Sequence, residues 1–268
     1  MLSYQHGYHA GNHADVLKHA VLCWVIDYLL QKDKPFYFHD THGGRGLYTL
    51  QHPMAQKTGE YKDGILRIWN KPDLPAALLP YINTLKAFNA EGGLRYYAGS
   101  SLLAQRMMRG IDRLAANELH PQEFLALRDN AGHMHNLRVT KEDGYLALKA
   151  AMPPKERRGL VLIDPSYELP EDDKAVVQSL REALQRFPTG TYMVWYPVVD
   201  VARARKLAKN VAALVPEDKC LQLELLVREP QKNGTGMAGS GMLVINPPWQ
   251  LAGVMQDVLP WLQQHLSC

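Results

Sequence analysis

A chain of 268 residues, 46% hydrophobic and 21% charged, is long enough for one large α/β domain or for a domain carrying an insertion. The net charge of +3 is mildly basic, which permits an anionic partner such as RNA without requiring one. Cys23, Cys220 and Cys268 stand in no CxxC or CxxH spacing, so the pattern supports neither a zinc site nor a disulfide framework and fits a reducing cytoplasm.

The first stretch, MLSYQHGYHAGNHADVLKH, is polar and histidine-rich, unlike a signal peptide. No stretch reaches the roughly 18 uninterrupted apolar residues of a membrane span. A cytoplasmic location is therefore expected. Either Asn12 or Asp15 caps a first helix, in which Val16, Leu17, Ala20, Val21, Trp24, Val25, Tyr28 and Leu29 recur at helical spacing up to DKP. PFYFHD reads as a short strand, followed by the glycine-rich turn THGGRG. Residues 50–98 change texture to short helices punctuated by Pro72, Pro75 and Pro80, and are expected to be a helical insertion within a single domain spanning 1–268.

GSSLLAQRMMRG reads as an amphipathic helix with Ser100 or Ser101 near its N-cap. Then come a short strand ending at Asn117–Glu118, helix PQEFLALRDNAG, strand LRVTKEDG, helix YLALKAAM and strand GLVLIDPSY. Helix DDKAVVQSLREALQRF, strand TYMVWYPV, helix VARARKLAKNVAALV, strands CLQLELLV and GMLVINPP, and helix VMQDVLPWLQQHL complete the chain. Strands alternating with helices of this length predict a mostly parallel, doubly wound sheet. The last two strands are joined by the hairpin-like NGTGMAGSG, which predicts an antiparallel far edge. Class I methyltransferases are built this way, as are other nucleotide-binding proteins, so fold alone does not set the chemistry.

Ligands of an open α/β sheet bind beyond the carboxyl ends of its strands. The first strand delivers Asp40, Thr41, His42 and a glycine turn whose spacing, D-x-x-x-G-x-G, differs from the GxGxxG of a pyrophosphate site. Glu118 ends the next strand, as an acid would that accepts hydrogen bonds from ribose hydroxyls. Asp143–Gly144 follows on the third, an acid for an adenine amino group and a glycine that leaves room for the ring. Each alone is also an ordinary turn or cap; in series they describe a pocket for an adenosine without pyrophosphate, S-adenosylmethionine.

The fourth strand delivers Asp164–Pro165–Ser166–Tyr167. A base amino group is a poor nucleophile because its lone pair is delocalised into the ring. A carboxylate (Asp164) and a carbonyl (Pro165) accepting its protons draw it toward tetrahedral geometry, while Tyr167 stacks on a base extruded from its helix or loop. NPPW at 246–249 has similar grammar but lies after the last strand, at the antiparallel edge; it is expected to be a structural strand exit, with Trp249 packing the final helix. His9 and His13 lie four apart, but Gly11 between them and the lack of a completing acid or cysteine argue against a metal. The N-terminal stretch is instead expected to be an ordered lid, with Lys18 or His19 near the charged end of the cofactor and Tyr4 and His6 facing the substrate. Arg45, Arg95, Arg106, Arg109 and Lys141 are available for phosphate contacts.

The runs YQHGYHAGNHADVLKH, DTHGGRG, TGEYKDGI, LRYYAGS, NELHP, RRGLVLIDPSYE, WYPVV and GMLVINPPW, long and in order, resemble the bacterial 23S ribosomal RNA adenine-N(6) methyltransferase J family across essentially the whole chain. The resemblance implies a monomeric class I fold with a helical insertion, and methylation of one adenine in a hairpin of protein-free or early-assembly 23S RNA by S-adenosylmethionine. It carries cofactor contacts onto His19, His42, Ser100, Glu118, Asp143, Gly144 and Asp164, catalysis onto Asp164, and substrate contact onto Tyr4, with His6 and Lys18 nearby. Two positions depart from the family's pattern: Ser166 stands for the second proline of DPPY, and GGRG for AGAG. Retained activity with a less rigid loop is expected from the first. Two other readings remain: a DNA adenine methyltransferase sharing the reaction motif, and a catalytically silent RNA-binding homologue.

Overall fold

The structure is a computed structural model and describes residues 4–132, 136–231 and 236–267. Its centre is a seven-stranded sheet of β1 (Tyr37–Asp40), β4 (Arg113–Asn117), β5 (Leu137–Thr140), β6 (Gly159–Ile163), β7 (Thr191–Val198), β8 (Cys220–Leu226) and β9 (Gly239–Ile245), in the order β5-β4-β1-β6-β7-β9-β8. The first five pair in parallel, whereas β9 runs antiparallel to both β7 and β8. The strand before NPPW is thus reversed as expected, but it lies inside the sheet; β8 forms the edge.

Helices cover both faces, as continuous apolar strands such as GLVLI, buried at every position, require. On one face α1 (His13–Leu30), α5 (Ser100–Met107), α6 (Pro121–Ala131) and α10 (Leu251–Leu266) share a core with Phe36, Phe38, Leu160, Leu162 and Met193. On the other, α7 (Gly144–Ala151), α8 (Asp172–Arg186) and α9 (Val201–Ala212) pack on Val161, Ile163, Tyr192, Val194 and Ile245. Helix α1 is buried along most of its length because the segment between β1 and α5 folds over its outer side. That segment holds α2 (Pro53–Thr58), α3 (Ile65–Ile68) and α4 (Leu79–Ala87), and is pinched by a small antiparallel ladder of β2 (Leu47–Thr49) and β3 (Tyr96–Ala98).

Asn12 caps α1, its Oδ1 accepting from Asp15 N at 3.0 Å. Gly99 is the N-cap residue of α5; Ser100 and Ser101 lie inside the first turn and turn their hydroxyls elsewhere. Trp249 does not pack the final helix: it is 78% exposed. The preceding Asn246 performs the structural role, at φ 50, its Nδ2 donating to the carbonyls of Pro188 (2.9 Å) and Gly190 (2.7 Å). Since Ile245 pairs with Tyr192 at the start of β7, NPPW lies at the opposite end of the sheet from Asp164.

Candidate active site

β1 stands between β4 and β6, so chains leave it in opposite directions and open a crevice at its carboxyl end. A cavity of about 930 Å³ lies there, and all the candidate residues from Tyr4 and His6 through Lys18, His19, His42, Ser100, Glu118, Asp143, Gly144 and Asp164 to Pro165 and Tyr167 line it.

Its floor is held from below by Asp40, fully buried, which accepts from Ser100 Oγ and Ser101 Oγ at 2.6 Å each. Burial pushes the Asp40 carboxyl up, against the serine hydrogen bonds that lower it. The glycine turn follows. Gly43 N donates to Asn117 O (2.8 Å), tying the turn to the end of β4. Gly44, at φ 58, donates to Glu118 Oε2 at 2.9 Å, and a Cβ there would meet Tyr48 Oη at 2.4 Å. Glu118 Oε1 accepts from His120 N at 2.8 Å, so each oxygen is positioned by one amide and keeps a lone pair. Burial raises the Glu118 carboxyl.

Arg45 points neither to solvent nor to a free anion site. Its Nε and guanidinium nitrogen engage Glu123 at 3.0 and 2.6 Å, and its carbonyl accepts from Asn130 Nδ2 at 2.9 Å. Arg109 is likewise committed, bidentate to Asp112, and Arg95 pairs with Glu91.

The wall opposite Glu118 is Asp143–Gly144. Here the strand has already ended at Thr140, and Asp143 is the N-cap of α7, its Oδ1 accepting from Tyr145 N and Leu146 N at 2.8 and 3.1 Å. A Cβ on Gly144 would lie 2.0 Å from the Thr41 carbonyl oxygen, so only glycine lets the helix start this close to the β1 exit. The His42 ring meets the Tyr145 ring edge-on, centroids 5.1 Å apart. Burial holds His42 neutral, its pKa lowered to about 4. Thr41 spends its one hydroxyl proton on Leu162 O (3.0 Å), so His42 Nδ1, 2.7 Å from that hydroxyl, must be the donor, which leaves Nε2 as an acceptor.

A second neutral imidazole lies under the lid. Burial lowers the His19 pKa to about 3. Its Nδ1 is 2.7 Å from Tyr97 Oη, which is 2.9 Å from Tyr81 Oη. Both buried hydroxyl protons find acceptors only if Tyr81 donates to Tyr97 and Tyr97 to His19. The proton of His19 is then on Nε2, a buried atom with no hydrogen-bond partner among the described residues.

At the end of β6, Asp164 Oδ2 receives Lys18 Nζ at 2.6 Å; the same ammonium is 2.9 Å from Asp15 Oδ1 and 5.6 Å from the centroid of the Trp195 ring. Asp15, 1% exposed, also accepts from Gly11 N and His6 Nε2 at 2.8 Å each, and His6 Nδ1 is 2.8 Å from Tyr4 Oη. Burial pushes the Asp164 pKa up to about 6, with Lys18 opposing it; the His6 ring and the Lys18 ammonium beside it hold Asp15 well below the usual range despite its burial. Pro165 is buried. Tyr167 sits in the left-handed region at φ 55 and its hydroxyl donates to Trp195 O at 2.5 Å, which fixes its ring. Sequence reasoning gave no role to Tyr97 or Trp195, and took Asp15 only as a possible helix cap and Asp40 only as the start of the glycine turn.

The N-terminal segment lies over the cavity and is fastened to the segment between β1 and α5. His9 Nδ1 and Asn12 Nδ2 both reach Glu60, at 2.9 Å each, Thr58 Oγ1 donates to Tyr8 O, and Ile65 N donates to Gly11 O at 2.8 Å. Tyr4 N donates to Glu168 at 3.2 Å, bridging to the Asp164 loop.

The strand order with β9 reversed, and a cavity over the switch point lined by a glycine turn and acids from successive strands, define a class I methyltransferase. The family model described as "Ribosomal RNA large subunit methyltransferase D, RlmJ" matches residues 33–268. The chain is 50% identical over 266 residues to the ribosomal RNA large subunit methyltransferase J of Escherichia coli K12, covering 99% of this chain and 94% of that one. It is 48% identical over 267 residues to the protein of the same name in Haemophilus influenzae, with the same coverage. The solved structure of protein LPL1258 from Legionella pneumophila superposes with a TM-score of 0.89 at 38% identity, covering 96% of this chain and 94% of that one. The chain belongs to this large-subunit ribosomal RNA methyltransferase family.

Proposed function

We propose that the protein transfers a methyl group from S-adenosylmethionine to the 6-amino group of one adenine in large-subunit ribosomal RNA. The observation that carries this reading is Asp164: Lys18 engages its Oδ2 and leaves Oδ1 without a partner among the described residues, and both Asp164 and Pro165 line the cavity. Family membership supports the ribosomal RNA substrate.

The residues present fit the cofactor. His19 Nε2–H, a buried donor without a partner among the described residues, matches the anionic carboxylate of its methionyl end. Glu118, with one lone pair per oxygen still available, matches two ribose hydroxyls. Asp143, whose Oδ2 has no partner among the described residues, matches the adenine amino group, and Gly144 lets α7 start against Thr41 so that this acid stands at the cavity wall. S-adenosylmethionine, when bound, supplies an electrophilic methyl group. Ser100 and His42 complete the wall, His42 with an acceptor nitrogen.

The target base leaves its stack and enters beside Tyr167, whose anchored hydroxyl holds the ring in one orientation for stacking. Asp164 Oδ1 and the Pro165 carbonyl accept the two amino protons, localising the nitrogen lone pair. As the nitrogen gains positive charge, ionised Asp164 stabilises it at close range in a largely water-free site. One proton then leaves the nitrogen, with Asp164 as the neighbouring acceptor. Tyr4 and His6 close the opposite side, and the bond from His6 to Asp15 links that closure to Lys18.

The test is transfer of labelled methyl from S-adenosylmethionine to protein-free 23S RNA, followed by nucleoside analysis. Label in 6-methyladenosine at one site is expected. Label in another nucleoside, or transfer to duplex DNA in preference to RNA, overturns the reading.

A further inference from the structure

We propose that the insertion carries a clamp for the RNA backbone, with Lys57 and Lys62 contacting the phosphates that flank the extruded base. This rests on the reading of the site as one that takes a base from RNA. Such a base stays attached to its strand, so the phosphates on either side must cross the rim of the cavity. On the insertion side that rim is formed by Thr58, Glu60 and Asp63. Lys57 and Lys62 are the chain neighbours of Thr58 and Asp63. Gly59, at φ 67, ends α2 and starts the next turn at once, so the two lysines flank one tight turn beside the rim.

On this side of the rim the charge balance sets the two lysines apart from the neighbouring arginines; across the cavity Arg228 also lines the wall, its Nε donating to the Met237 carbonyl at 3.0 Å. Three of the lining acids are satisfied within the protein: Glu60 by His9 and Asn12, Asp63 by Arg67 and Asp173 by Arg203. Arg45, Arg67 and Arg203 are correspondingly committed to Glu123, Asp63 and Asp173. Lys57 and Lys62 are exposed and enter no ion pair among the described residues. Each ammonium instead rests over an aromatic ring, Lys57 over Tyr8 at 5.7 Å and Lys62 over Tyr61 at 5.9 Å. The residues that bear the rings are tied to this segment. The Tyr8 carbonyl accepts from Thr58 Oγ1, and Tyr61 Oη accepts from Gln56 Nε2 at 2.9 Å. A cation held over a ring keeps its N–H groups available to an anion. Two such cations beside a rim whose adjacent acids, Glu60 and Asp63, are already paired match a polyanionic strand.

The experiment compares the wild type with Lys57→Ala/Lys62→Ala, measuring affinity for protein-free 23S RNA against salt together with methyl transfer kinetics. Each single-strand phosphate contact contributes about 0.7 to the slope of log affinity on log salt, so the double variant is expected to lose about 1.4. KM for RNA rises on the order of tenfold, while kcat and the affinity for S-adenosylmethionine stay within about twofold. Lys32→Ala/Lys34→Ala, at the far end of α1, is the reference pair. An unchanged slope and KM in the first variant, or an equal loss in the reference pair, overturns the clamp. Failure of the wild type to methylate RNA strikes the functional reading instead.

Discussion

Lys18 Nζ stands 2.6 Å from Asp164 Oδ2, joining the lid-bearing helix to the end of β6 across 146 positions of sequence. Both side chains are mostly withdrawn from water, at 6% and 13% exposed, so each is costly to leave unpaired. The pairing also spends one carboxylate oxygen and directs the other. That division of labour within one carboxylate generates the first two predictions.

Asp164→Ala removes the acceptor and is expected to lower kcat by at least about a thousandfold, the scale lost with one preorganised polar group in a transition state. S-adenosylmethionine binding, measured by calorimetry, is expected to remain measurable, which separates lost chemistry from a lost fold. Activity near wild type in the purified variant would falsify the assignment of Asp164.

Lys18→Met acts on the same carboxylate through its charge. Burial already raises Asp164 to about 6, and Lys18 is what holds it from rising further. Above that value the side chain is an ionised acceptor; below it, it is protonated and one acceptor is lost. The wild type is therefore expected to lose activity as pH falls through about 6. In the variant the limb moves to higher pH, so raising pH restores part of the lost rate. A purely structural role for Lys18 predicts a lower plateau with the limb unmoved.

Glu118→Ala tests the cofactor side. The carboxylate is positioned by Gly44 N and His120 N at 2.9 and 2.8 Å and offers two charge-assisted hydrogen bonds to a ribose. Their loss at about 1.5–3 kcal/mol each predicts a rise of about 150-fold or more in Kd for S-adenosylmethionine, with RNA affinity unchanged. An unaltered Kd in calorimetry assigns Glu118 to the turn alone.

Much of this architecture was legible because parallel strands buried on both faces read as uninterrupted apolar runs; GLVLI and the acids that follow successive strands needed no structure. The ladder of β2 and β3 did not show, since three residues per strand are too few for alternation to register. Asp15 was invisible for another reason. It was weighed as a helix cap, a surface role, whereas it is a buried acceptor for His6, Gly11 and Lys18, and such convergence depends on segments far apart in sequence. Asp40 and Ser100 were each read locally, and their partnership exists only across the crevice. The edge of the sheet was misplaced because the turn between β8 and β9 fixes that they are antiparallel, but not which of them joins β7.

NPPW supplies the last prediction, in which two neighbouring residues exchange the roles their sizes imply. A tryptophan after a strand is ordinarily read as a packing residue, and its truncation in a core costs about 3–5 kcal/mol. Trp249 is 78% exposed, so little apolar surface is returned to water on truncation, and Trp249→Ala is expected to change stability by less than about 0.5 kcal/mol. Asn246 is the smaller residue but holds φ 50, where asparagine is among the better tolerated side chains, and satisfies two carbonyls at the turn into β7. Asn246→Ala loses both bonds and retains the strained backbone, for an expected cost of about 2–3 kcal/mol. Denaturant unfolding of the two variants at equal slope reads the difference directly. A larger loss for Trp249→Ala than for Asn246→Ala contradicts the solvent-facing placement of the indole, and a selective loss of methyl transfer in either variant at unchanged stability returns this motif to the chemistry.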